Sequence, residues 1–230
     1  MSSRALVGLL AGVNEVRALR TIYPTGLGRI GHARALAARA HGRACTVLLC
    51  SHFERYIYAI NEEAIDWVNI KQPSMSLIPI ELLLQHSRAP IDDLARTDWT
   101  GRERKLRNFM SSDGPLWSAG TAPAILDHSQ LLTWLKTPKP EGLRRFYRQY
   151  GISDIFNTIT RSSRIRGQLI HDLQELAEKR NNIAHGDLSS QALKTDVTRY
   201  LLAVAKFASS ADKAFAQRLR RMIRAPSPPW

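Results

Sequence analysis

The sequence predicts an all-α fold, and three observations predict it. Apolar residues recur at three- and four-residue steps over long runs, the period that places them on one face of a helix. No stretch alternates strictly between apolar and polar residues, and no hairpin dipeptide sits between β-branched runs, so a sheet of any size is not expected. Hydrophobic residues at 44% and charged residues at 23% of 230 positions exclude a disordered, collagenous or disulfide-dense chain. The length suits one domain with appendages.

In chain order, residues 5–13 behind Arg4 read as an amphipathic helix rather than a secretory signal, because they lack an A-x-A cleavage pattern and run on into Asn14 and Glu15. Residues 1–30 are expected to form an N-terminal helical arm. Gly26, Gly28 and Gly31 make G-x-G-x-x-G, a spacing that cradles a pyrophosphate only behind a buried strand of a βαβ unit. The preceding residues include Pro24 and offer no such strand, so this segment reads as a connector.

The main domain is expected over residues 31–224. Cys45, Leu48, Leu49, Phe53, Tyr56, Ile60, Ala64 and Trp67 share one helical face, giving a core helix over 45–68. Cys45 and Cys50, five apart on that helix, point in divergent directions and cannot pair, which suits a reducing, cytoplasmic compartment. His41, Cys45 and His52 lie within roughly 40° on the wheel, but among apolar neighbours, where a cysteine acts as a small hydrophobe. No metal or cofactor is expected.

Between Pro73 and Gly142 prolines and glycines recur so often that only short helices fit, around 80–85, 98–110 and 143–150; about 71–140 reads as an insertion. Ile165, Leu169, Leu173, Leu176, Ala177 and Ala184 then define a second long helix that stops at Gly186. A third is expected behind Ser189 and Ser190 as N-caps and continues to Met222. Residues 225–230, with three prolines, read as a mobile tail.

No apolar run reaches the roughly 18 residues that a membrane-spanning helix requires. Thirty-three Lys and Arg against 20 Asp and Glu leave a net charge of +13, a field that attracts polyanions, so nucleic acid heads the list of partners. P-loop, G-x-S-x-G and H-E-x-x-H spacings are absent, which removes the commonest nucleotide-binding, esterase and zinc-protease readings.

The run E-K-R-N-N-I-A-H-G-D, residues 178–187, closes the second long helix. An Arg and a His separated by four residues is a loose pattern, since Arg166 with His171 also satisfies it. Context singles out Arg180 and His185: Asn181 follows the Arg, Lys179 precedes it, and Gly186 follows the His. Here the sequence resembles the HEPN superfamily, all-α domains whose ribonuclease members carry R-x(4–6)-H with a polar residue after the Arg. The run from Leu48 to Tyr56 is similar to the first long helix of prokaryotic HEPN proteins, in particular the RiboL-PSP-HEPN branch.

That resemblance implies a metal-independent endoribonuclease in which the RNA's own 2′-hydroxyl attacks the adjacent phosphate. It also implies a composite site across a homodimer and, in this kind of protein, a toxin or phage-defence role with a possible antitoxin partner. The residue chemistry agrees: His185 can shuttle a proton near neutrality, and Arg180 presents a planar fork to phosphate oxygens. Asn181 is a supporting candidate. On a regular helix Arg180 falls within roughly 20° of the apolar stripe, so its guanidinium needs a partner; Glu54 and Glu63 are the two acidic candidates. Basic clusters at Arg144, Arg145 and Arg148, and at Arg161, Arg164 and Arg166, are candidate RNA contacts, with Phe146, Tyr147 and Tyr150 available for stacking on bases. The rival readings are a non-catalytic HEPN module that binds RNA or a partner protein, and a helical scaffold whose charge is incidental.

Overall fold

The computed structural model describes residues 1–22, 32–118 and 125–230, with side chains of the long second helix described from residue 35 onward. The glycine-rich connector of the G-x-G-x-x-G spacing lies outside the described residues. The fold is all-α, as predicted: eleven α-helices and one 3-10 turn, with no strand among the described residues.

A helix over His32–Lys71 (α2) is the spine. At 40 residues it is about 60 Å long. Against it packs α1 (Arg4–Thr21), together with the two long helices α10 (Ser163–Ala184) and α11 (Lys194–Met222). Their apolar faces close one core that includes Leu6, Val13, Leu49, Phe53, Ile57, Leu173, Leu176, Val204 and Phe207. Among the described residues no helix is long and apolar enough to cross a membrane.

The N-terminal helix, expected as an arm, belongs to this core. Ala5, Leu6, Leu9, Gly12, Val13 and Val16 are buried, and the ring of His52 fills the space where a Cβ on Gly12 would stand. All three N–H groups of its first turn that lack a backbone acceptor find a side chain: Arg4 and Ala5 donate to Glu63 at 3.1 and 2.6 Å, and Leu6 donates to Ser3 Oγ at 3.0 Å. Helix starts are stabilised when orphan donors are met and a negative charge sits beside them.

Residues 71–140 carry the short helices that the prolines impose: α3 (Ile80–His86), α4 (Arg88–Arg96), α5 (Trp99–Ser112), α6 (Gly114–Trp117) and α7 (His128–Leu131). Amides on the spine fasten them. Asn69 exchanges two hydrogen bonds with the backbone of Leu126, and Asn61 donates to the His128 carbonyl while accepting from the Tyr150 hydroxyl. His86 accepts the Asp127 N–H at its Nε2, so its proton sits on Nδ1, 3.2 Å from Asp113.

The helices α8 (Pro140–Gln149) and α9 (Ile155–Ile159) return the chain to the bundle. Phe146, Tyr147 and Tyr150 enter an edge-to-face aromatic cluster with Phe207 and Phe215. All three are fully buried, which corrects their assignment as stacking platforms for bases: burying each ring removes a large apolar area from water, and that outweighs any exposed role.

The start of α11 and the C-terminal tail also differ from expectation. Ser189 does not cap α11; its N–H and hydroxyl both donate to Asp187 in a turn, and α11 starts at Lys194, where Asp196 accepts the Leu193 N–H. The tail, read as mobile, folds back so that Trp230 packs on Phe215 and donates its indole N–H to Asp212 at 3.1 Å.

Candidate active site

Arg180 stands in the last turn of α10, on the flank that faces the spine. Its Nη2 lies 3.6 Å from Glu54 Oε2 on α2, with both side chains about a quarter exposed. Nη1 donates to Asn181 Oδ1 at 3.3 Å, and that oxygen also accepts from the Thr137 hydroxyl at 3.2 Å. Of the two acidic candidates, Glu54 is therefore the partner of Arg180. Glu63 is engaged at the start of α1 instead, about two and a half helical turns further along the spine, and does not support Arg180.

The surroundings of this pair are half dry. Burial pushes the Glu54 carboxyl above its usual range, and the Arg180 charge opposes that shift. One turn earlier burial pushes the Cys50 thiol up to about 12, again against the Arg180 charge. The separation of 3.6 Å is an ionic contact rather than a hydrogen bond. Arg180 is thus anchored by a carboxylate and an amide while most of its five N–H donors stay open to an incoming anion.

Helix α10 ends at Ala184 and His185 is its C-cap. Gly186 adopts φ +83° with open space around its Cβ position, so conformation and not room calls for glycine there. The Gly186 N–H reaches the Ile183 carbonyl and the Asp187 N–H reaches Asn182, the pairing that closes a Schellman turn. His185 is held on this turn with an exposed imidazole. Five residues of helix separate it from Arg180 by roughly 140°, and no hydrogen bond or ion pair joins the two within one chain.

Two other histidines on the spine turn toward α1: His41 Nε2 meets the Leu19 carbonyl at 2.9 Å and His52 Nε2 meets Glu15 at 3.1 Å. A metal-compatible grouping that sequence reasoning did not find is His171, Asp172 and Glu175 on α10. Arg199 of α11 occupies the cationic position there, 2.8 Å from both carboxylates and 3.0 Å from Asp196. Thr137, the neighbour of Asn181, was also missed, because nothing in the proline-rich segment marks which residue docks on α10.

Residues 33–217 match the family model for RiboL-PSP-HEPN. The chain belongs to the RiboL-PSP-HEPN family. The resemblance read from residues 48–56 and 178–187 is the correct one, and the family region reaches through the insertion, leaving all of α1 and the last residues of α11 outside it. No curated protein and no solved structure matches the chain.

In this RiboL-PSP-HEPN chain the basic candidates divide. Arg144 is a strut: its Nε donates to Asp154, which also caps α9, and its guanidinium lies 5.0 Å over the Phe156 ring. Arg145 stacks 4.1 Å over Trp134 and donates to Gln85. Arg148, Arg161 and Arg164 are exposed and Arg166 is half-buried, and none of the four has a carboxylate partner. Arg164 and Arg166 sit near the start of α10, roughly 21 to 24 Å along the helix from Arg180, so one strand touching both must span several nucleotides.

Proposed function

We propose that this RiboL-PSP-HEPN protein is a metal-independent endoribonuclease that acts as a homodimer, with His185 moving the proton and Arg180 neutralising the phosphate. The 2′-hydroxyl of the RNA attacks the adjacent phosphorus and loses its proton to one imidazole. The P–O5′ bond breaks, and an imidazolium protonates the departing 5′-oxygen, leaving a cyclic phosphate and a 5′-hydroxyl. Arg180 stabilises the charge that builds on the non-bridging oxygens. One chain offers a single His185, so a second copy across a two-fold axis supplies the complementary acid or base.

The observation that supports this reading is the state of the two side chains. Arg180 is tethered to Glu54 and Asn181 with its side chain about a quarter exposed, and His185 is exposed on a hydrogen-bonded turn five residues later. The test is cleavage of single-stranded RNA in EDTA by wild type and His185→Ala, with oligomeric state measured by sedimentation. The expected result is loss of cleavage in the variant with an unchanged dimer. RNA binding that weakens steeply with salt but never leads to cleavage would instead establish the non-catalytic, RNA-binding module, a reading favoured by the absence of any contact between Arg180 and His185 in one chain.

A further inference from the structure

The end of the insertion, between α7 and α8, is fixed from several sides. Leu132, Leu135, Pro138 and Pro140 are buried. The Tyr58 hydroxyl on α2, one turn beyond Glu54, donates to the Leu135 carbonyl at 2.6 Å. Trp134 donates its indole N–H to the Leu131 carbonyl at 3.0 Å and carries the Arg145 guanidinium 4.1 Å over its ring, which braces the segment against α8. Pro138 disfavours the helical region for Thr137, and the Lys139 N–H reaches the Thr137 carbonyl at 2.8 Å, closing a three-residue turn centred on Pro138. A β-branched side chain on a backbone held in this way has few orientations open to it.

The Thr137 hydroxyl settles how Asn181 stands. Arg180 has donors only, and its Nη1 lies 3.3 Å from the Asn181 side chain, so the amide must turn its oxygen and not its nitrogen toward the guanidinium. The Thr137 hydroxyl, 3.2 Å from the same oxygen, therefore donates to it. Both lone pairs of Asn181 Oδ1 are then engaged, and a flip of the amide would forfeit both contacts at once. Glu54, at 3.6 Å, holds the Arg180 charge without a directional bond. Among the described residues Asn181 is thus the one hydrogen-bond acceptor of the Arg180 guanidinium, and Thr137 is the one other side chain that grips that acceptor. A guanidinium is a flat fork, and what it can receive depends on the plane it keeps.

We infer that Thr137 is a positioning residue: from the insertion, through the Asn181 amide, it fixes the plane of the Arg180 guanidinium. Thr137 touches no substrate itself. Its effect is that the Arg180 fork meets the phosphate without first reorganising, which is where fixed donors gain over mobile ones. The insertion is on this account a working part of the site and not an appendage to the bundle. The consequence for turnover rests on the cleavage chemistry proposed for Arg180; the placement of the guanidinium does not.

The test compares the full chain with Thr137→Val, which keeps the shape and removes the hydroxyl, and with Thr137→Ser, which keeps the hydroxyl. In steady-state cleavage of single-stranded RNA, Thr137→Val is expected to lose about tenfold in kcat with KM within about twofold of wild type, and Thr137→Ser to recover kcat to within about twofold. Tm should stay within about 3 °C of wild type in both. The guanidinium N–H signals of Arg180 in nitrogen–proton correlation spectra, assigned by their disappearance in Arg180→Lys, give a readout that needs no cleavage: they should shift and broaden in Thr137→Val and return in Thr137→Ser. A wild type that leaves RNA uncut while the spectral change and its rescue persist discards the nuclease reading and keeps Thr137 as the residue that places Arg180. Arg180 signals indifferent to Thr137→Val, an unchanged kcat in a chain that cleaves, or a loss that Thr137→Ser fails to restore overturns the inference. A larger fall of Tm in Thr137→Val overturns it as well, since the hydroxyl would then serve the fold.

Discussion

Arg180 and Arg199 lie on the two neighbouring helices α10 and α11 and face carboxylates in opposite ways. Arg199 meets Asp172, Glu175 and Asp196 at 2.8, 2.8 and 3.0 Å, and Lys179 closes the same network onto Asp196 at 3.0 Å. Arg180 has one carboxylate, at 3.6 Å. The first guanidinium is saturated and holds α10 to α11; the second is positioned but keeps donors in reserve. Charge and residue type are the same in both, and the number and distance of the carboxylates separate an arginine that fastens helices from one that can receive a phosphate.

The largest expected effect breaks or upholds that contrast directly. Arg180→Ala should lower RNA cleavage by about 100-fold or more, the scale for losing one stabiliser of developing oxyanion charge. Its effect on unfolding free energy should stay below about 1 kcal/mol, because the pair is loose and partly solvated. Chemical denaturation alongside single-turnover cleavage measures both; a variant that loses stability in step with activity would make Arg180 a strut like Arg199.

Arg199→Ala should show the reverse. Asp172, whose side chain is 6% exposed, would keep only its hydrogen bond from Gln168, at a cost of about 2 to 3 kcal/mol in urea unfolding, with RNA affinity of the folded protein unchanged. Stability equal to wild type would show that the network contributes little beyond its own desolvation.

A smaller effect is read from pH. Burial pushes the Asp196 carboxyl up, but the Leu193 N–H, Lys179 and Arg199 outweigh it and hold it below the usual range. Its stabilisation is therefore present above about pH 3.9 and is lost as pH falls through its lowered folded value. Glu54 is shifted upward, so the native state keeps that proton longer and stability falls as pH rises from about 4.3 through its raised value. Asp196→Asn should flatten the acid limb of the stability profile, and Glu54→Gln should remove a decline on the other side; thermal unfolding between pH 2 and 7 distinguishes the two signs.

The smallest effect concerns the outer arginines. Arg164 has no carboxylate partner, whereas Arg144 is engaged by Asp154. Arg164→Ala should reduce the slope of log binding constant against log salt by about 0.7 on a single strand, and Arg144→Ala should leave that slope unchanged.

Much of this was legible in the residues. The apolar period over 45–68 located the spine, though it runs further in both directions, over His32–Lys71, because local period is clear only where one face is strongly apolar. Gly186 marked the end of α10 correctly, since a positive φ is a local demand that glycine alone meets cheaply. The onset of α11 was misread because Ser189 satisfies Asp187 rather than a helix; two serines before an apolar run describe a cap and a turn equally well. The aromatic residues of α8 were misassigned for a related reason. Composition shows that Phe146, Tyr147 and Tyr150 are aromatic but not which way α8 turns them.

The order of residues by itself determined the helical class, the family and the neighbourhood of Arg180 and His185, because period, caps and a ten-residue motif are properties of adjacent positions. Only tertiary packing decided that Glu54 and not Glu63 faces Arg180, that Asn181 is held by Thr137, and that the first helix is core. Each of those pairings joins positions tens to more than a hundred residues apart, and the relative rotation of packed helices, which no local pattern encodes, sets which side chains meet.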